Sequence, residues 1–304
     1  MSVGAASAAV RYHVAMDTTI SVEVPGVSSE ATREAIDRAF RWFDEVERVC
    51  SRFDERSELR ELCAKPGEPV VVSELLFAVL SFALQVAGES DGVFDPTVGA
   101  AMTRAGFDRN YRTGERVAAG EQGLATFRDV VLTPETRAVT MLRPLTLDLG
   151  AVAKGFAIDL AAKELENYAN VAINAGGDLY LRGVDAQGGH WRIGVRDPHD
   201  FDSLAETFIL DGRAICTSGD YERRDALLDE HHLLDPRTER TARACASATV
   251  IAPTAMVADA LATAAFVLGP ASGIAFLEEQ GVEGMLITPA GKRFQTSALQ
   301  EFIA

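Results

Sequence analysis

Asp259 and Thr263 stand four residues apart in Thr254-Ala255-Met256-Val257-Ala258-Asp259-Ala260-Leu261-Ala262-Thr263, a stretch otherwise built of small and apolar residues. At helical pitch they share one face. A carboxylate and a hydroxyl on a face of alanines suit a hard cation such as Mg²⁺, which takes oxygen ligands and keeps waters or substrate phosphates. The pair also suits an architectural use, with Thr263 bonding back to the Asp259 carbonyl and Asp259 capping a nearby loop. In either use a charged Asp amid Met256, Val257, Leu261 and Phe266 requires a partner.

Four more segments carry reactive or ligand-binding residue types. Leu147-Asp148-Leu149-Gly150-Ala151-Val152-Ala153-Lys154-Gly155 turns from an apolar run into a helix, with Asp148 just before it and Lys154 in its first turns. A helix N-terminus beside a lysine attracts phosphate, and the same residues also suit an N-cap and a solvated lysine. Ile173-Asn174-Ala175-Gly176-Gly177-Asp178-Leu179 sets two glycines between strands, where backbone approaches a ligand or simply turns; it is not the dinucleotide fingerprint. Thr217-Ser218-Gly219-Asp220-Tyr221-Glu222-Arg223 reads as a small polar turn, and Ser218 has no partnered base nearby in sequence. His231-His232-Leu233-Leu234-Asp235-Pro236-Arg237-Thr238 joins a titratable ring to an Asp-Pro turn: His232 can take a proton from a hydroxyl near neutral pH and Arg237 can face phosphate, although a lone histidine also serves as a plain structural residue.

These residues need elements to hold them. Residues 18–24 read as a strand, and 29–51 as a helix whose Ile36, Phe40, Phe43, Val46 and Cys50 form one apolar stripe. A second helix, 74–87, is apolar almost all round, as buried helices are. Residues 129–141 read as a hairpin about Pro134-Glu135-Thr136. The second half interleaves helices at 152–168, 254–268 and 270–280 with strands at 171–174, 179–181, 191–195, 207–210, 247–252 and 285–288. This order predicts an α+β fold with a largely antiparallel sheet and flanking helices. With no repeat or linker, residues 1–304 read as a single domain of two interlocked subdomains.

The whole chain narrows the ligand class. It has 304 residues, 47% hydrophobic residues and a formal net charge of −16. Nucleic acid and anionic membrane both need a basic footprint, so neither is expected as a partner. A phosphate-bearing ligand would need its positive charge supplied locally, by a metal ion and a few placed Lys or Arg. Cys50, Cys63, Cys216 and Cys245 form no CxxC pair and read as reduced, mostly core residues. No run is long enough for a transmembrane helix, and residues 1–10 lack the basic start of a signal peptide, so a cytoplasmic protein is expected.

Taken together and in this order, the five segments resemble the signature set of the ApbE family, from about Met16 to the C-terminus. The resemblance implies a T-fold-like α+β architecture. It also implies a flavin transferase that binds FAD, cleaves its pyrophosphate with Mg²⁺, links FMN through a phosphoester to a Thr or Ser of a target flavoprotein domain, and releases AMP. Residue by residue, it implies flavin or FAD contacts at Met16, Phe53, Val93, Phe94, Asp95, Asp148, Lys154, Leu233 and Leu234. Metal ligands would be the Asp259 carboxylate, the Thr263 hydroxyl and the carbonyls of Ala151 and Ala262. His232 corresponds to the histidine that assists the attacking hydroxyl, so His232 and Asp259 are the candidate catalytic residues. The family's histidine is usually followed by isoleucines, and leucines of nearly equal volume follow here. Two rival activities remain on this reading: an FAD pyrophosphatase that releases FMN and AMP, with Phe53 the place to look for control of water access, and an FAD-binding protein without turnover.

Overall fold

A computed structural model of the chain describes residues 9–118, 125–221, 224–225 and 230–304. The signal-peptide reading of residues 1–10 therefore falls mostly outside the described residues, as do Glu222 and Arg223.

The frame is an eight-stranded sheet. Its strands lie in the order Ala9–Ala15, Thr18–Val24, Val171–Ala175, Asp178–Arg182, Arg213–Gly219, Ser247–Ala252, Glu283–Ile287 and Arg293–Gln295. Each neighbouring pair is antiparallel. Period-2 alternation buries both faces: Ala214 and Cys216 enter the main hydrophobic core, whereas Ile215 enters a second cluster with Leu181, Trp191, Phe208, Ile251 and Met285. That second cluster is roofed by a hairpin, Trp191–Arg196 with Leu204–Leu210.

Seven α-helices occur among the described residues. α1 (Glu30–Cys50) starts where the Ser29 hydroxyl accepts the Thr32 N–H at 3.1 Å, and its stripe of Ile36, Phe40, Phe43, Val46 and Cys50 is buried as expected. α2 (Glu58–Cys63), α3 (Glu74–Glu89) and α4 (Gly99–Arg104) follow. α5 (Gly150–Glu164) lies between α1 and α6 (Ala255–Leu268), and α6 packs on the strands Arg213–Gly219 and Ser247–Ala252. α7 (Pro270–Glu279) closes the set. A small sheet joins the expected hairpin, Val130–Thr133 with Ala138–Met141, to a further strand, Pro69–Val71.

The α+β class and the large antiparallel sheet are as the sequence predicts. The segment Thr217-Ser218-Gly219 corrects the sequence reading: it is not a turn but the end of a central sheet strand, Arg213–Gly219. Strand Ala9–Ala15 and the short helices α2 and α4 are also additional to it. No helix among the described residues is long and apolar enough to cross a membrane.

Candidate active site

A cavity of about 980 Å³ opens between the C-terminal end of α1, the start of α5, α6 and the segment around 232–236. It is lined by Met16, Phe53, Val93, Phe94, Asp95, Asp148, Ala151, Lys154, His232, Leu233, Leu234, Asp259 and Thr263. Of the residues singled out in the sequence, Ala262 does not line it and is fully buried in α6. Arg237 does not line it either: its guanidinium is held by Asp235 at 2.9 and 2.8 Å inside its own turn.

Each wall has a local cause. Met16 and Asp17 form the two-residue turn between the first two strands, with φ of 53° and 61°. Positive φ at both positions matches the twist of a tight hairpin but disfavours a side chain such as Met. The Met16 N–H is tied to Glu47 Oε2 of α1 at 3.1 Å, which holds the strained turn at the cavity edge. Gly176, at φ +64°, makes the next turn, and a Cβ there would lie 2.3 Å from Thr18 Oγ1, so only glycine fits.

Asp95 uses its carboxylate within its own loop. One oxygen accepts the Thr97 N–H (2.8 Å) and hydroxyl (2.7 Å), and the other accepts the Phe127 N–H at 3.0 Å. Burial raises its pKa, and these hydrogen bonds oppose the rise. Asp148 lies just before α5, one oxygen accepting the Gly150 N–H at 2.8 Å and the other 2.6 Å from Arg52 Nε. Arg52 is only 5% exposed; it also reaches Thr103 Oγ1 and the Phe107 carbonyl, and stacks 4.1 Å from the Phe53 ring centroid. One guanidinium thus fixes three walls. Its polar partners Thr103, Phe107 and Asp148 are distant in sequence, so neighbouring motifs gave no signal for them.

Lys154 points from α5 to Asp178, Nζ to Oδ2 2.6 Å, and Asp178 is 3% exposed in the strand Asp178–Arg182. The lysine is therefore a held charge and not a solvated one. Asp178 belongs to the Gly-Gly-Asp segment read from sequence as a turn or a close approach; its service to Lys154 was not foreseen. Asp259 and Thr263 do share a face of α6; the Thr263 hydroxyl meets Ser218, whereas Asp259 does bond a backbone group, as the architectural use also has it. Asp259 Oδ2 accepts the Gly155 N–H of α5 at 3.1 Å, and Thr263 Oγ1 lies 3.2 Å from Ser218 Oγ.

The two adjacent histidines separate cleanly. His231 is buried, with Nε2 2.9 Å from the Ala242 carbonyl and Nδ1 3.3 Å from the Leu233 N–H. A carbonyl only accepts and an N–H only donates, so His231 is a neutral ring protonated on Nε2, serving structure. His232 lines the cavity, edge-on to Phe107 with ring centroids 6.4 Å apart. Cys50, Cys216 and Cys245 are buried free thiols, and burial holds the Cys216 thiol well above its ordinary pKa.

Comparison with known proteins places this geometry. The ApbE family model matches residues 16–286. The FAD:protein FMN transferase of Treponema pallidum is 34% identical over 290 residues, covering 87% of this chain and 79% of its own. That of Escherichia coli K12 is 27% identical, covering 94% and 86%. Among solved structures, the ApbE protein of Thermotoga maritima superposes with a TM-score of 0.86 at 28% identity, covering 98% of this chain and all of its own. The Vibrio cholerae flavin transferase ApbE gives 0.84 at 27%, covering 97% and 99%. With the family model spanning most of the sequence and the whole sheet-and-helix frame shared, this chain belongs to the ApbE family.

Proposed function

We propose that the chain is an FAD:protein FMN transferase, the activity carried in the names of its relatives. One observation carries the reading. Lys154 from α5 and Asp259 and Thr263 from α6 meet in the same cavity as Phe53, Phe94, Leu233 and Leu234, which joins groups suited to a pyrophosphate with surfaces suited to a flavin ring.

The donor set fits Mg²⁺. No group of three or more His, Cys, Asp or Glu among the described residues could hold a metal by itself. Mg²⁺ needs none where substrate phosphates complete its shell, and one carboxylate is the usual protein share. Asp259, Thr263 and the carbonyl of Ala151 would hold it, whereas Ala262, which the resemblance also implies, is buried in α6 and does not line the cavity. When bound, it would neutralise the pyrophosphate and stabilise the leaving phosphate.

The chain's own residues do the rest. Lys154, oriented by Asp178, supplies a fixed positive charge in an acidic protein. His232 takes the proton from the acceptor Thr or Ser hydroxyl as its oxygen bonds to the FMN-side phosphorus, and the bond to the AMP phosphate breaks. AMP leaves with the electron pair. The acceptor is a flavoprotein domain; nicotinamide nucleotides and nucleic acid are not substrates on this reading. The same reading takes residues 1–304 as one domain of two interlocked subdomains, since the main core draws on Ile36 and Phe43 as well as Val250 and Leu286.

The test is incubation with FAD, Mg²⁺ and candidate acceptor domains, followed by intact mass and free-nucleotide analysis. Acceptor heavier by FMN less water, with one AMP per transfer, is expected. FMN and AMP appearing over an unmodified acceptor would establish the pyrophosphatase instead, and bound, uncleaved FAD a protein without turnover.

A further inference from the structure

We propose that Asp159 is a positioning residue for this transfer: from α5 it grips the N-terminus of α6 and so sets where Asp259 and Thr263 stand relative to Lys154. The proposal rests on the flavin-transferase reading of the cavity. Asp159 lies outside the cavity and outside every motif singled out in the sequence.

The geometry is a reciprocal clasp between two helices. Asp159 Oδ1 accepts the Ala255 N–H at 2.7 Å and Oδ2 accepts the Met256 N–H at 2.9 Å. These are the first two donors of α6, which have no partner inside the helix. Thr254 Oγ1 takes the third, from Val257, at 3.4 Å. In the other direction, Asp259 of α6 takes the Gly155 N–H of α5 at 3.1 Å. Between the two clasps the backbones nearly touch, since a Cβ on Gly155 would lie 2.4 Å from the Ala255 carbonyl oxygen.

A short bidentate grip at one end of α6 and a single bond one turn further along fix the helix in translation and rotation together. Asp159 and Lys154 are five residues apart on α5, and Ala255 and Asp259 four apart on α6. The carboxylate thus ties the frame that carries Lys154 to the frame that carries Asp259 and Thr263. An ordinary N-cap comes from the residue just before the helix, as Ser29 does for α1. Here a neighbouring helix does the work, and the site spans that junction.

Asp159→Asn keeps the shape but has one acceptor oxygen for two N–H groups, so it loosens the grip without emptying the space. Ser29→Ala, which removes the α1 cap far from the cavity, is the control for lost stability alone. Both are compared with wild type for FAD affinity, transfer rate, Mg²⁺ concentration at half-maximal rate, and the rise in melting temperature that Mg²⁺ gives the FAD-loaded protein. Asp159→Asn should raise the Mg²⁺ requirement or lower the rate by roughly 10-fold or more, the scale seen when groups that orient metal ligands are removed. It should also shrink the Mg²⁺-dependent thermal shift, with FAD affinity within about twofold of wild type. Ser29→Ala should move only the melting temperature. Asp159→Asn with a wild-type Mg²⁺ requirement, rate and thermal shift would overturn the proposal while leaving the cavity reading intact. A wild type that responds to FAD but neither needs nor feels Mg²⁺ would overturn both.

Discussion

Within the pair His231 and His232, one ring faces the core and the other the cavity, and the two variants should differ in kind. His232→Ala should slow covalent transfer by about 10² to 10⁴ while FAD still binds, because a base acts in the reaction step. His231→Ala strands the Ala242 carbonyl and the Leu233 N–H and should lower stability by about 1–3 kcal/mol. Single-turnover transfer and thermal melts separate the two; equal rates for His232→Ala and wild type across pH 6 to 9 would assign His232 to structure. Asp159 carries a second test. Burial raises its pKa from 3.8 to about 6, against the pull of the Met256 and Ala255 N–H groups. The folded state thus holds this proton more tightly than the unfolded one, so the group's contribution falls as pH rises from about 4 to about 6 and stays lowered above that. Melting temperature followed from pH 4 to 8 should show wild type losing ground to Asp159→Asn across that window and running parallel above it.

The helices announced themselves in the sequence, because Ile36, Phe40, Phe43, Val46 and Cys50 repeat at helical pitch and Asp259 with Thr263 falls on one face of an alanine-rich run. Strand Arg213–Gly219 did not, for a physical reason. Its last residues, Thr217, Ser218 and Gly219, are small and polar where the strand end reaches the cavity, which Thr217 and Ser218 both line, so they read as a turn. The cavity-lining residues were legible as short motifs, whereas their supports were not. Arg52, Asp178 and Asp159 act across contacts that pair distant segments, such as the 96 residues between Asp159 and Ala255. The α5–α6 crossing gives the test at this scale. Gly155→Ala drives a methyl into the Ala255 carbonyl and must part the helices, at about 1–3 kcal/mol for overpacking. Transfer should fall further than that cost alone implies, because the Gly155 N–H to Asp259 bond opens with it. Activity per folded molecule, measured well below the melting temperature, checks this; full activity in a merely less stable Gly155→Ala protein would disconnect the crossing from the site.

Across the whole molecule the net charge of −16 makes the cavity's own cations decisive. A pyrophosphate brought without metal adds negative charge beside Asp148, Asp178 and Asp259, so FAD and Mg²⁺ should stabilise the fold cooperatively. Differential scanning melts with FAD, Mg²⁺ and both should show a shift for the pair larger than the sum of the separate shifts, and Asp259→Ala should abolish the excess. The sheet has one consequence of another sort. Thr18–Val24 pairs with Val171–Ala175, so all of α1 to α5 is threaded between two adjacent strands. During synthesis the early hairpin must wait, one edge unpaired, until more than half the polypeptide has left the ribosome. Closing so long a loop is slow, and an unpaired edge invites association with other chains. A nascent chain halted after α5 should therefore be the aggregation-prone intermediate of this protein, and release of some ten residues more, enough to supply the missing strand, should be the point at which the N-terminal hairpin gains protection from hydrogen exchange.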